Sequence, residues 1–208
     1  GFVGETAVSG VSLVNSFNTI FLNLFTALAA GGAVVISQYI GRGEKELASS
    51  SACQLALAAA LFSVVAAVLI LLNCEPLLRL LFGKVEPEVM TACISYLRIS
   101  AYSYPALAVY NAGAALYRSF GKTRTTMYIS IASNCINVVG NCIGVFVLKA
   151  GVAGVAWPSL IARTFSAVII TVLCFSQKNP VSYFWQGLLR LESNLQTKTA
   201  FSSWSRWR

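Results

Sequence analysis

The stretch TAVSGVSLVNSFNTIFLNLFTALAAGGAVVISQYIG, from Thr6 to Gly41, contains no charged residue. A bilayer core about 30 Å thick is crossed by about 20 residues of α-helix, so this run is long enough to span it. The feature recurs along the chain. Leu47–Cys74, Ile99–Tyr117 and Thr125–Leu148 are also uncharged, and Gly151–Ser176 is interrupted only by Arg163. These runs predict five transmembrane helices, near 10–38, 50–73, 92–116, 125–148 and 153–176. A β-barrel would need segments of about ten residues that alternate apolar and polar. The runs here are longer and apolar on most faces. The fold class is all-α, a polytopic membrane helical bundle embedded in the lipid bilayer.

The composition agrees. Of 208 residues, 57% are hydrophobic and 11% charged, against roughly 25% charged in an ordinary soluble domain. Mean hydropathy is +0.71. There is no histidine and no aspartate, which removes a Ser-His-Asp triad, a histidine metal site and aspartate-based phosphoryl chemistry. No enzyme chemistry, metal or cofactor is expected. The six cysteines, Cys53, Cys74, Cys93, Cys135, Cys142 and Cys174, lie in or beside spans without a C-x-x-C pair. They read as small packing residues.

Lysine and arginine set the orientation. Arg42 and Lys45, then Arg118, Lys122 and Arg124, then Lys178, Arg190, Lys198, Arg206 and Arg208 fall on one side of the five spans. Only Arg79, Lys84 and Lys149 fall on the other. The richer side is expected in the cytoplasm, and the net charge of +8 reads as a topology signal rather than as a nucleic-acid footprint. Five spans with a cytoplasmic carboxyl end put the amino end outside. A further helix before Gly1 is therefore expected. Residues 179–208 carry no clean span and read as a cytoplasmic linker or an aberrant tail.

Two helices carry polar stripes. Ser12, Asn15, Thr19, Asn23 and Thr26 recur at spacings of three and four, as do Ser130, Asn134, Asn137 and Asn141. Such spacing is one face of a 3.6-residue helix. Amides in hydrocarbon are costly without partners or water, so each stripe should face a bundle interior or a wet cavity. Interhelical hydrogen bonding, worth roughly 0.6 kcal/mol per contact, is the plainer reading. Two long stripes in one chain favour a cavity. Arg163, inside the last span, either pairs within that cavity or snorkels toward the cytoplasm. Pro105 bends the third span, as a fixed kink or a hinge.

Several segments in order resemble one family. Gly31–Glu44 (GGAVVISQYIGRGE) is similar to the end of the second helix and following loop of the MATE transporters, the multidrug and toxic compound extrusion family. Glu75–Gly83 (EPLLRLLFG) resembles their outer loop after the third helix. Tyr96–Ile99 (YLRI), Pro105 and Leu116–Thr123 (LYRSFGKT) resemble the fourth helix and its inner loop. Asn134–Asn141 (NCINVVGN) resembles the fifth helix, and Gly151–Ser159 (GVAGVAWPS) the start of the sixth. The five spans then match helices 2–6 of a twelve-helix fold, and residues 1–178 form a partial amino-terminal lobe.

The resemblance implies a plasma-membrane antiporter that exchanges Na⁺ or H⁺ for small organic, often cationic, compounds by alternating access. It also implies that the first helix and the carboxy-terminal lobe lie in chain not present here. By position, Asn111, Asn137, Asn141 and Ser159 match polar residues that hold a cation or proton network in some members. Some members carry aspartate where Asn141 stands, and Ser159 replaces a more usual threonine. Asn15, Thr19, Asn23, Asn134 and Arg163 are candidates to line the cavity. The alternatives are a flippase for lipid-linked glycans from the same superfamily, which should show several cations in its cleft, and an inactive truncated product.

Overall fold

The computed structural model describes residues 2–82, 86–148 and 151–175. Lys84, Lys149, Lys178 and the tail 179–208 lie outside the described residues, and so does what was expected of them. Every regular element among the described residues is helical: α1 (Phe2–Gly41), α2 (Lys45–Leu72), α3 (Cys74–Phe82), α4 (Pro87–Tyr102), α5 (Tyr104–Ser119), α6 (Thr123–Cys142) and α7 (Ala153–Phe175). A π-helical turn, Ile143–Val147, extends α6. Among the described residues, four unbroken segments are long and apolar enough to cross a bilayer: Val14–Gly41, Lys45–Leu72, Thr123–Val147 and Ala153–Phe175.

The expected third span, 92–116, is not one helix. It is interrupted at Ser103, between α4 and α5. Pro105 has no backbone N–H to offer the carbonyl one turn earlier and its ring crowds that carbonyl. The ladder tightens instead, with Ser103 N–H bonding to the Ser100 carbonyl at 2.9 Å. Glu75–Gly83 also differs from the loop expected of it. Cys74–Phe82 is a short amphipathic helix with Leu78 fully buried, held on its outer face by an exposed Arg79–Glu75 pair at 2.7 Å.

Two helix ends on the side richest in basic residues share one device. Gly43 and Gly121 adopt φ of +77° and +72°, a left-handed conformation that only glycine adopts without a steric penalty. Each closes a six-residue cap, Glu44 N–H to Tyr39 O and Lys122 N–H to Tyr117 O, both at 3.0 Å. The chain therefore turns sharply, and short loops return α2 and α6 antiparallel to the helices before them.

At the centre lies α5, packed against α1, α2 and α7. Its residues Asn111 to Tyr117 are all buried. They are mostly glycine and alanine, and without long side chains the neighbouring backbones approach closely. The inward face of α1 is Val14, Asn18, Phe25, Ala29 and Ile36, a repeat of alternating fours and sevens, eleven residues in three turns, that keeps one face of the helix on α2, α4 and α5. Tyr104 is completely buried, stacked on Phe21 with ring centroids 5.0 Å apart. Large apolar side chains such as Leu61, Leu72, Val139, Phe146 and Val172 point outward. A soluble protein could not show so many, and hydrocarbon is the solvent that suits them.

Candidate functional site

The polar stripe of α6 meets α7 where the two helices cross with little between them. Gly140 and Gly144 form a G-x-x-x-G step facing Gly154 and Pro158. A Cβ built on Gly140 would lie 2.6 Å from Pro158 Cβ, and one built on Gly144 would strike the backbone of Gly154. Small residues at this spacing let membrane helices touch backbone to backbone.

The crossing brings three of the expected residues together. Asn141 Nδ2 donates to Asn137 Oδ1 at 3.0 Å, Asn137 Nδ2 donates to Ser159 Oγ at 2.9 Å, and the Ser159 hydroxyl donates to the Val155 carbonyl at 3.1 Å. The chain of bonds leaves one end open. Asn141 Oδ1 is buried and has no partner among the described residues. An unpartnered buried acceptor is uncommon in a native structure, and an amide oxygen is what a hard cation or a proton donor seeks. The three side chains carry no charge and no group that titrates near neutral pH.

Further along the same helices lies a cavity of about 180 Å³, lined by Leu107, Tyr110, Ser130, Ser133, Asn134, Arg163 and Ser166. It therefore includes Asn134 and Arg163 from the expected set. Arg163 does not snorkel. Its Nη1 donates to Ser103 Oγ at 2.6 Å, at the interruption between α4 and α5. The Tyr110 hydroxyl bonds to the Ser130 hydroxyl at 2.6 Å, and Ser133 donates to the Ala162 carbonyl at 3.0 Å.

The other candidates are placed differently. Asn111 is buried on α5 with its Nδ2 unpartnered among the described residues, and it joins neither the bonded chain nor the cavity lining. Asn15, Thr19 and Asn23 are exposed, so the α1 stripe faces away from the other described helices rather than into a bundle interior. Thr19 and Thr26 return their hydroxyls to the carbonyls of Asn15 and Leu22, as membrane serines and threonines do when no other acceptor is near. Sequence reasoning missed Asn18, the polar interruption of the α1 seam, whose Oδ1 accepts the Tyr104 hydroxyl at 2.6 Å. It also missed Ser103 and Tyr110. The available signals were the place of Asn18 in the eleven-residue repeat of α1 and the place of Ser103 two residues before Pro105.

A multi-pass helical bundle with uncharged amides bonded across an intramembrane crossing, and a buried cation beside a cavity, has the makings of a membrane transporter. The MatE family profile matches residues 1–143, and the chain belongs to that family. It is 27% identical over 173 residues to a Bacillus subtilis protein named "Uncharacterized transporter YisQ", a match covering 81% of this chain and 38% of the relative. To a Thermotoga maritima protein named "Probable multidrug resistance protein NorM" it is 25% identical over 185 residues, covering 86% of this chain and 39% of the relative. A crystal structure of a MATE protein in its bent conformation superposes with a TM-score of 0.82 at 21% identity, covering 88% of this chain and 41% of the other. That likeness establishes the fold. The chain thus spans about two fifths of the length of the relatives it matches.

Proposed function

We propose that this chain forms part of a secondary active efflux transporter, which exchanges Na⁺ or H⁺ for small organic, often cationic, compounds by alternating access in the plasma membrane. Residues 1–178 would supply helices 2–6 of an amino-terminal lobe, and 179–208 the cytoplasmic linker or an aberrant tail. A first helix and a carboxy-terminal lobe would complete the cleft. Family membership and the multidrug-resistance names of relatives support this reading. The observation that carries it is the bonded chain Asn141–Asn137–Ser159, which ends in an open acceptor inside the membrane. Amide and hydroxyl oxygens there suit Na⁺, or a proton carried by a donor from the missing helix. The flippase alternative is weaker. A pyrophosphate would need several cations, and among the described residues Arg163 is the one cation lining the cavity.

The test is efflux of ethidium from proteoliposomes containing the full-length transporter, under an imposed Na⁺ or proton gradient. Efflux should depend on one of the gradients. Asn137→Ala and Asn141→Ala should lower it about ten-fold, equivalent to losing about 1.4 kcal/mol of ion binding, with protein abundance unchanged. Efflux indifferent to both gradients, or full rates in both variants, would sink the reading.

A further inference from the structure

Arg163 is partly buried in the middle of α7, more than two turns from either end of the helix. No described carboxylate meets it. Glu44, Glu46, Glu75, Glu86 and Glu88 are all exposed near helix ends, and the ion pair found among the described residues joins Arg79 to Glu75. Ser103 Oγ takes one guanidinium N–H. Five are available on the group, so the remainder are free to serve the cavity that Arg163 lines. A guanidinium held within a membrane, with no carboxylate beside it among the described residues, marks a functional position.

The rest of the lining matches. Asn134 brings an amide that can donate, the Tyr110–Ser130 pair, in which one hydroxyl donates to the other, keeps at most one further O–H, and no acidic group lines the cavity. At about 180 Å³ the space is smaller than the roughly 300–1,000 Å³ of a whole-ligand pocket. It suits one functional group of a larger molecule. A guanidinium with coplanar donors fits a carboxylate in two parallel bonds. One positive charge balances one carboxylate, and would leave a phosphate dianion half compensated.

We propose that the cavity between α5, α6 and α7 is a carboxylate subsite with Arg163 as its anchor, and Asn134 and one hydroxyl of the Tyr110–Ser130 pair as further donors. The transporter's substrates then include organic anions or zwitterions that carry a carboxylate. This rests on the reading of the whole protein as a transporter. The carboxylate has two possible sources, a substrate or an acidic side chain from the part of the protein outside this chain, and the experiment separates them.

The full-length transporter is assayed for binding of radiolabelled succinate and, separately, for gradient-driven efflux of ethidium. Succinate should bind the parent protein. Arg163→Gln should weaken that binding at least ten-fold, and Arg163→Lys by less. Thermal stability and membrane abundance should stay near those of the parent in both variants. A second variant guards against misfolding: Asn134→Asp places a carboxylate in the subsite, and should abolish succinate binding while leaving thermal stability and abundance near those of the parent. Absence of succinate binding to a parent protein that still exports ethidium overturns the subsite and leaves the transporter reading intact. Loss of ethidium efflux in the parent overturns the transporter reading itself. If Arg163→Gln destabilises the protein and neutralising one acidic residue elsewhere restores it, the counter-charge is internal and the subsite is refuted.

Discussion

Gly144→Ala adds one methyl group where α6 and α7 are closest. The new Cβ would overlap the Gly154 carbonyl oxygen and lie 2.8 Å from Gly154 Cα. Carbon atoms rest about 3.5–4.0 Å apart, and the obstructing atoms are backbone, so no rotamer change relieves the clash. The helices must part by roughly 1 Å. If they part as rigid bodies, the Asn137–Ser159 bond of 2.9 Å stretches to about 3.9 Å, beyond hydrogen-bond range. Overpacking costs about 1–3 kcal/mol and the lost interhelical bond about 0.6 kcal/mol, so the sum is about 2–4 kcal/mol. Gly31→Ala is the matched control, since a Cβ there meets nothing within 4 Å and alanine is the better helix former by up to about 1 kcal/mol.

The assay is thermal unfolding of the purified full-length protein in detergent, with gradient-driven efflux per molecule measured in parallel. The expected result is a lower midpoint and slower efflux for Gly144→Ala, and parental efflux with a midpoint at or above the parent's for Gly31→Ala. Should the two variants behave alike, the crossing neither sets the helix spacing nor holds the amide chain together.

Tyr104→Phe removes the hydroxyl that bonds to Asn18 Oδ1. Because Asn18 Nδ2 is already unpartnered, the whole amide is then orphaned, at about 1–3 kcal/mol; adding Asn18→Leu should recover stability, and failure to recover it in the unfolding assay would assign the cost to ring packing instead. Lys122→Cys, in a cysteine-depleted background, should react with an impermeant maleimide only after cells are permeabilised. Reaction on intact cells would reverse the orientation.

Much of the bundle was legible because hydrocarbon excludes charge over whole helix lengths. The uncharged runs located α1, α2, α6 and α7, with ends displaced by up to eight residues where polar caps or loops continue the helix. Pro105 was visible, yet the split at Ser103 was not, since proline bends some membrane helices and divides others according to what packs on them. The short helix Cys74–Phe82 was hidden because Glu75, Pro76 and Arg79 read as loop chemistry. Within the candidate site, spacing alone put Asn137 and Asn141 on one face. Their partner Ser159 came from family resemblance, since no periodicity links α6 to α7. The α1 stripe shows the limit most clearly. Periodicity gives the face, and only the packing of Val14, Asn18, Phe25, Ala29 and Ile36 shows that the polar face lies away from the other described helices.

Ser159 and Arg163 are one turn apart on α7, about 6 Å along the axis. The neutral amide chain and the cationic cavity therefore share one helix interface, and charge at one is felt at the other. Asn141 lies one turn further, seven residues from the cavity-lining Asn134, or about 10 Å along the axis; two unit charges that far apart at an effective dielectric near 20 interact by about 1.7 kcal/mol. A cation at Asn141 would stand in the field of Arg163 and bind poorly while that charge is uncompensated. A carboxylate in the cavity removes the penalty, so the two ligands should favour each other's binding by the same factor. An organic cation placed there would do the opposite. Succinate binding to the full-length transporter, measured in NaCl and in choline chloride of equal ionic strength, reads this coupling directly. Na⁺ should tighten succinate binding several-fold, and Asn141→Ala should erase the difference. Equal affinity in both salts would mean that the amide chain holds no Na⁺, or that water inside the lobe screens the pair.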